Sequence, residues 1–413
     1  MKLILFLISP LLCCTSIAAA ADIKKAPPTS VSFRKIQLLD KFISEGASIG
    51  DINADGKADI VSGSLWWQGP EFKRSFAYAP VKFFPVKGPG LTGYSNNFLT
   101  FTTHLTPDLW SDIIRVGLPG LPGDWALNPG QNPLPPDNTQ HSCTHGKSQD
   151  NICNESPQLL DVIGDGKPEL LAYSHGQITL AIPNPDPDQA WQVLPVSPKD
   201  KRFHKYSHGL GAGDINGDNL TDILEKAGWW QQPANWDRKS PWTFHPYPFA
   251  PQVGGAQMFA YDIDGDGDND VVTALNAHGY GIAWYEQIQQ AGKISFKQHR
   301  ILTDKPGDNP YGVCFSQPHA MACLDIDGDG LKDFVTGKRY YAHNGKDPGA
   351  EDPAVLYWFR ATRQQDGSVE FIPYLIDDNS GVGCQVATAD LNADGKPDIV
   401  IGNKKGVFAF IQE

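Results

Sequence analysis

Residues 262–270 read Asp262-Ile263-Asp264-Gly265-Asp266-Gly267-Asp268-Asn269-Asp270, and an apolar run, Val271-Val272-Thr273-Ala274, follows at once. Oxygen-bearing side chains at the first, third, fifth and ninth positions (Asp262, Asp264, Asp266 and Asp270) let a tight turn wrap a hard cation, which takes six to eight oxygen ligands. Glycine at the sixth position supplies the left-handed backbone that such a bend needs. The same pattern returns as Asp51, Asn53, Asp55 and Asp59; as Asp214, Asn216, Asp218 and Asp222; as Asp325, Asp327, Asp329 and Asp333; and as Asp390, Asn392, Asp394 and Asp398. Asn219 replaces the glycine in one copy and tolerates the same conformation. Two further copies are degraded: residues 104–112 carry His104, Thr106 and Leu109 and read as metal-free, and residues 161–169 carry Ile163 and Glu169, which weakens the case for calcium there. An EF-hand shares the first half of the pattern but needs a twelve-residue loop ending in Glu between helices. These turns close with Asp and run into strand-like segments such as Asp59-Ile60-Val61, so an EF-hand is excluded.

The seven turns start at residues 51, 104, 161, 214, 262, 325 and 390, which is 48 to 65 residues apart. That spacing fits one four-stranded propeller blade per repeat. The expectation is an all-β, seven-bladed β-propeller with calcium-binding loops between the first and second strands of most blades, holding about five Ca2+. With 41 Gly, 33 Pro, 11 Trp and 3 Met, the composition suits many short strands and no long helix. Aromatic pairs in Leu65-Trp66-Trp67, Gly228-Trp229-Trp230, Ala283-Trp284-Tyr285 and Leu356-Tyr357-Trp358 read as wedges between blades. A formal charge of -13 argues against a nucleic-acid partner. Five bound dications would nearly cancel it.

Residues 1–21 have the form of a signal peptide: Lys2, an apolar run from Leu3 to Ile17, then four alanines. The expected product is exported, periplasmic or extracellular; lipoprotein anchoring through Cys13 or Cys14 is disfavoured by the residues before them. No later stretch can span a bilayer, and a monomer is expected. Residues 22–31 read as a linker and 32–413 as the propeller, interrupted by a Pro- and Gly-rich insertion at about 117–155. Within it, Cys143 and Cys153 read as a local disulfide, which export permits.

These repeats resemble the FG-GAP or VCBS family of calcium-binding propeller repeats, over nearly all of the chain from about Ser32. The resemblance implies the propeller fold and calcium. The same scaffold serves adhesion, lectin-like binding and polysaccharide lysis.

Six positions before each acidic turn stand Glu45, Phe98, Glu155, His208, Ala256, His319 and Cys384. These begin the inner strands, on the face opposite the acidic turns. The connections after the second strands share that face and carry, among others, His278, Lys338, Arg339, Tyr340, His343 and Lys404. Convergent titratable groups in a concavity make a candidate site. His208, His278, His319, Lys338, Arg339, Tyr340 and His343 are the expected catalytic set. A cation beside a carbonyl stabilises an enolate while His or Tyr moves a proton, which is what β-elimination from a sugar requires. The arrangement also resembles the propeller domain of aldos-2-ulose dehydratases and, more loosely, seven-bladed polysaccharide lyases. A carbohydrate or small sugar is the expected partner, acted on by a lyase or dehydratase; the competing expectation is a non-catalytic propeller that binds glycans or a protein.

Overall fold

A computed structural model describes residues 23–130, 143–251 and 253–413, so the signal expected at 1–21 lies outside the described residues. Among them there is no α-helix, only two short 3-10 turns, and no helix long and apolar enough to cross a membrane. The strands form a β-propeller, in five four-stranded sheets and one eight-stranded sheet. Each four-stranded unit is an antiparallel meander; the first runs Ser48–Gly50, Asp59–Ser62, Leu65–Trp67, Ser75–Ala77. The eight-stranded sheet is two such meanders joined by parallel pairing of Leu210–Gly213 with Gln257–Tyr261. Gly211 makes that approach possible, because a Cβ there would lie 2.0 Å from the Met258 carbonyl oxygen. The seven expected blades are therefore seven meanders, two of them fused.

The last meander, Val386–Ala389, Asp398–Asn403 and Gly406–Gln412, takes its fourth strand from the other end of the chain. Phe33–Leu39 pairs antiparallel with Gly406–Gln412, Phe33 opposite Gln412.

Side chains alternate across a strand, and the aromatic pairs use this to serve both faces of a blade. Trp66 packs with Val61, Tyr78 and Ile113 of the next blade, while Trp67 packs with Ile60, Val400 and Val407 of the preceding one. Trp229 and Trp230 divide in the same way. The wedge reading of these residues holds.

The ninth residue of each acidic turn has a structural task. Asp59 accepts backbone hydrogen bonds from Ile52 (2.9 Å) and Gly69 (2.8 Å), tying the turn to the third strand. Asp222, Asp270, Asp333 and Asp398 repeat this arrangement. Asp112 does so too, accepting from Leu105 and Asn128 at 2.8 Å each, although its turn carries His104 and Thr106 at the first and third positions and keeps only Asp108 of the other acids.

Two expectations about the Pro- and Gly-rich segment fail. It supplies the outer strands of the second meander, Asp124–Leu127 and Thr144–Lys147. Buried Trp125 anchors them, with Gly146 leaving room for its ring. Cys143 and Cys153 are both free. They pack into different blade interfaces, Cys143 beside the Trp66 cluster and Cys153 beside Leu171 and Phe203, so no disulfide joins them.

Candidate functional site at the propeller axis

The residues that begin the inner strands, Glu45, Phe98, Glu155, His208, Ala256, His319 and Cys384, are each at most 5% exposed. Backbone hydrogen bonds stitch this ring together: Glu155 N–H to Ser207 O (3.0 Å), His208 N–H to Val253 O (2.9 Å), Cys384 N–H to Glu45 O (2.6 Å). One residue further along, Gln257 donates to the Cys384 carbonyl (3.0 Å) and accepts from Met321 N–H (3.0 Å), bridging from the fifth blade to the sixth and seventh.

Arg339, 1% exposed, reaches the ring from the connection after the sixth blade's second strand. Its guanidinium lies 3.1 Å from Glu155, 3.1 Å from Glu45 and 2.6 Å from His319 Nε2. Since arginine only donates, His319 Nε2 accepts and its proton sits on Nδ1. Burial works against the Glu155 carboxylate, yet the positive charge of Arg339 beside it holds it well below the usual carboxylate range. Burial depresses both His208 and, with Arg339 beside it, His319, the latter to about 3, so both imidazoles are neutral.

Nearer the surface, Asp347 accepts from His278 Nδ1 (3.0 Å) and His343 Nδ1 (2.8 Å). Burial opposes its ionisation, but these two hydrogen bonds hold Asp347 well below the usual range. The ionised carboxylate accepts a hydrogen bond from the Nδ1–H of each ring, a tautomer that puts the lone pair of each neutral imidazole on Nε2. That of His278 meets His208 Nε2 at 3.2 Å. His343, its side chain 51% exposed, shows no partner for Nε2 among the described residues. One ring nitrogen from each of His208, His278 and His319 lies within 4.8 Å of the others. Three imidazoles suit a borderline cation such as zinc, although the fixed charge of Arg339 beside His319 works against a dication there.

A cavity of about 180 Å³ opens beside this cluster, lined by Leu91, Tyr94, Phe98, Leu118, Glu155, Tyr206, His278, Arg339 and His343. Its roof is a strap between the first and second blades. The strap crosses to the sixth blade through Tyr94 Oη, which accepts from His343 N–H (2.8 Å), through Gly90 O, which accepts from Asn344 (3.2 Å), and through a Lys87–Glu351 ion pair (3.1 Å).

The expected set is thus divided. His208, His278, His319, Arg339 and His343 come together. Lys338 is fully buried, lowered to about 8 by that burial, and hydrogen-bonds the Arg339 carbonyl. Tyr340 faces a different pocket, with Lys35, Lys404 and Lys405. Of the groups expected around a concavity, His208, His319, Lys338 and Arg339 are buried, Arg339 forming part of the cavity wall. Asp347, Tyr94 and Tyr206 are the site residues that sequence reasoning passed over. Asp347 had a signal, lying four residues after His343 in a polar segment; Tyr94 and Tyr206 had none.

The acidic turns lie at the far ends of the inner strands, six residues from the ring, or about 20 Å at the usual strand rise. In the fifth turn, one oxygen each of Asp262, Asp264 and Asp270 lie within 4.8 Å of one another, and the third turn gathers Asp161, Asp165 and Glu169 in the same way. Burial and mutual repulsion raise Asp264 and push Asp268 to about 6. This oxygen-only, under-compensated donor set fits a hard divalent cation.

Residues 262–336 and 325–401, which span the fifth to seventh turns, match the sequence profile of the FG-GAP-like repeat. The chain carries FG-GAP-like repeats. In them, each inner strand leads from the axial ring into an acidic turn. No curated protein matches the sequence. Among solved structures, an Agrocybe aegerita lectin described as recognising non-reducing terminal N-acetylglucosamine is similar at TM-score 0.42 and 17% identity, over 84% of this chain and 81% of that one. The rhamnogalacturonan lyase YesW is similar at TM-score 0.42 and 12% identity, over 94% of this chain and 74% of its own.

Proposed function

We propose that this FG-GAP-like propeller is an exported protein that seats a small carbohydrate in the axial cavity and acts on it as a sugar lyase or dehydratase. One observation carries the reading: His278 and His343, oriented by a shared Asp347, stand at the edge of a cavity walled by Tyr94, Phe98 and Tyr206. Aromatic walls suit the apolar face of a sugar ring. His343 Nε2 takes the proton next to a carbonyl or carboxylate, a C=C bond forms, and the C–O bond at the next carbon breaks. The departing oxygen receives its proton from the Tyr94 hydroxyl, which lines the cavity and which burial keeps protonated.

The test is incubation of the calcium-loaded protein with keto-sugars and uronic-acid oligosaccharides, following the unsaturated product by ultraviolet absorbance and binding by calorimetry. His343→Ala is expected to abolish turnover with no change in melting temperature, because this side chain is half exposed. Neither binding nor turnover would sink the proposal. Binding without turnover supports the alternative of a glycan-binding propeller, which the mutual pairing of Glu155 and Arg339 favours, since those charges are already compensated.

We also propose that the repeat turns hold calcium, which neutralises their clustered carboxylates and stabilises the fold. Chelation is expected to lower the melting temperature by several degrees or more, reversed by added calcium. An unchanged melting curve after confirmed metal removal would refute this.

A further inference from the structure

The five acidic turns fall into two chemical classes. In three of them the third residue is Asn, and its side-chain amide donates to the fifth residue's carboxylate: Asn53 to Asp55 (3.0 Å), Asn216 to Asp218 (2.9 Å), Asn392 to Asp394 (3.2 Å). In the fifth and sixth turns the third residue is Asp, so two carboxylates face each other and that internal bond cannot form. The structure treats these two turns differently. In the sixth, Arg360 of the strand Leu356–Arg363 lies 2.5 Å from Asp327 and 3.0 Å from Asp329, the third and fifth positions. In the fifth, Arg363 of the same strand reaches only the rim: the Asp262 carbonyl (2.8 Å), the Ile263 carbonyl (2.9 Å) and Asp262 Oδ1 (3.4 Å). Nothing basic bridges Asp264 and Asp266 among the described contacts.

We propose that Arg360 is the resident cation of the sixth turn, so that this turn is closed to calcium, or nearly so, while the fifth turn, with the same carboxylates unbridged, depends on the ion. A guanidinium spanning two carboxylates uses the oxygens that a calcium ion needs, and it is supplied at no loss of translational freedom. The number of calcium ions is then four rather than five. This inference rests on the reading that the repeat turns take calcium, and the experiment separates the two.

Calcium stoichiometry and affinity are measured by elemental analysis after dialysis and by calorimetric titration of the chelator-stripped, refilled full chain. Asp266→Ala, at the position that is Asp in all five turns, is expected to lose one equivalent, Asp329→Ala none. Arg360→Ala is expected to gain one equivalent, or to raise the affinity of the weakest site at least tenfold, while Arg363→Ala leaves the count unchanged. Arg360 is one-third exposed, so its loss leaves the core intact. If Asp329→Ala loses an equivalent as Asp266→Ala does, or Arg360→Ala binds as the parent does, Arg360 is only a surface ion-pair partner and the inference is wrong while the calcium reading stands. A parent protein that binds no calcium overturns both.

Discussion

Arg339 pairs with two buried carboxylates, Glu45 and Glu155, and its replacement removes the ion-pair partner of both. Arg339→Met is therefore expected to cost about 3–5 kcal/mol of stability, read from urea unfolding; a loss within the error of the fit would show that the carboxylates ionise without it. Lys404, which donates to the Tyr341 carbonyl (3.0 Å), is lowered by burial from 10.5 to about 8. Between those values the unfolded chain binds more protons than the folded one, so stability rises with pH across that window. Lys404→Met should reduce the rise between pH 8 and 10 without removing it, because Lys338 is depressed to about 8 as well; equal slopes in the two proteins would contradict the assignment. Much of this cluster was legible in the sequence. The fixed offset from each acidic turn picked out Glu45, Glu155, His208, His319 and Cys384 as one ring. It could not show that Arg339 pairs across the axis with Glu45 and Glu155, or that Tyr94 caps His343, because those contacts join blades far apart in the chain. Their burial was illegible for the same reason.

The acidic turn is an element with two separable parts, a cation seat at its first positions and a backbone clasp at its ninth. The second blade keeps the clasp although its cation seat is reduced to Asp108, with His104 and Thr106 at the first and third positions, so Asp112 has a task there that needs no ion. Asp112→Ala removes two hydrogen bonds to a charged acceptor and is expected to destabilise by about 2–3 kcal/mol. The loss in denaturant midpoint should be the same with and without chelator. If the effect vanished in chelator, Asp112 would have to be acting through calcium. Strand positions were legible where short apolar runs flank the turns. They were not legible in Asp124–Leu127 and Thr144–Lys147, whose stability comes from Trp125 lodging between blades rather than from a local pattern. Nor could periodicity reveal that the fourth and fifth blades share hydrogen bonds, since that depends on the backbone approach that Gly211 allows.

At the scale of the whole molecule, the ring is held shut by Phe33–Leu39 lying against Gly406–Gln412. Removing residues 32–39 exposes the unpaired edge of a fully buried strand, and such an edge templates association. The truncated protein is expected to elute as aggregate in size-exclusion chromatography; a soluble monomer with a cooperative melt would mean that the other blades suffice. The same clasp also fixes an order of events in the cell. The strand Phe33–Leu39 is made more than three hundred residues before its partner Gly406–Gln412, and at 5–20 residues per second the interval between them is on the order of tens of seconds. Until residues 406–412 have been made, the strand Phe33–Leu39 has no mate, and a chain that lost that segment would leave it without one.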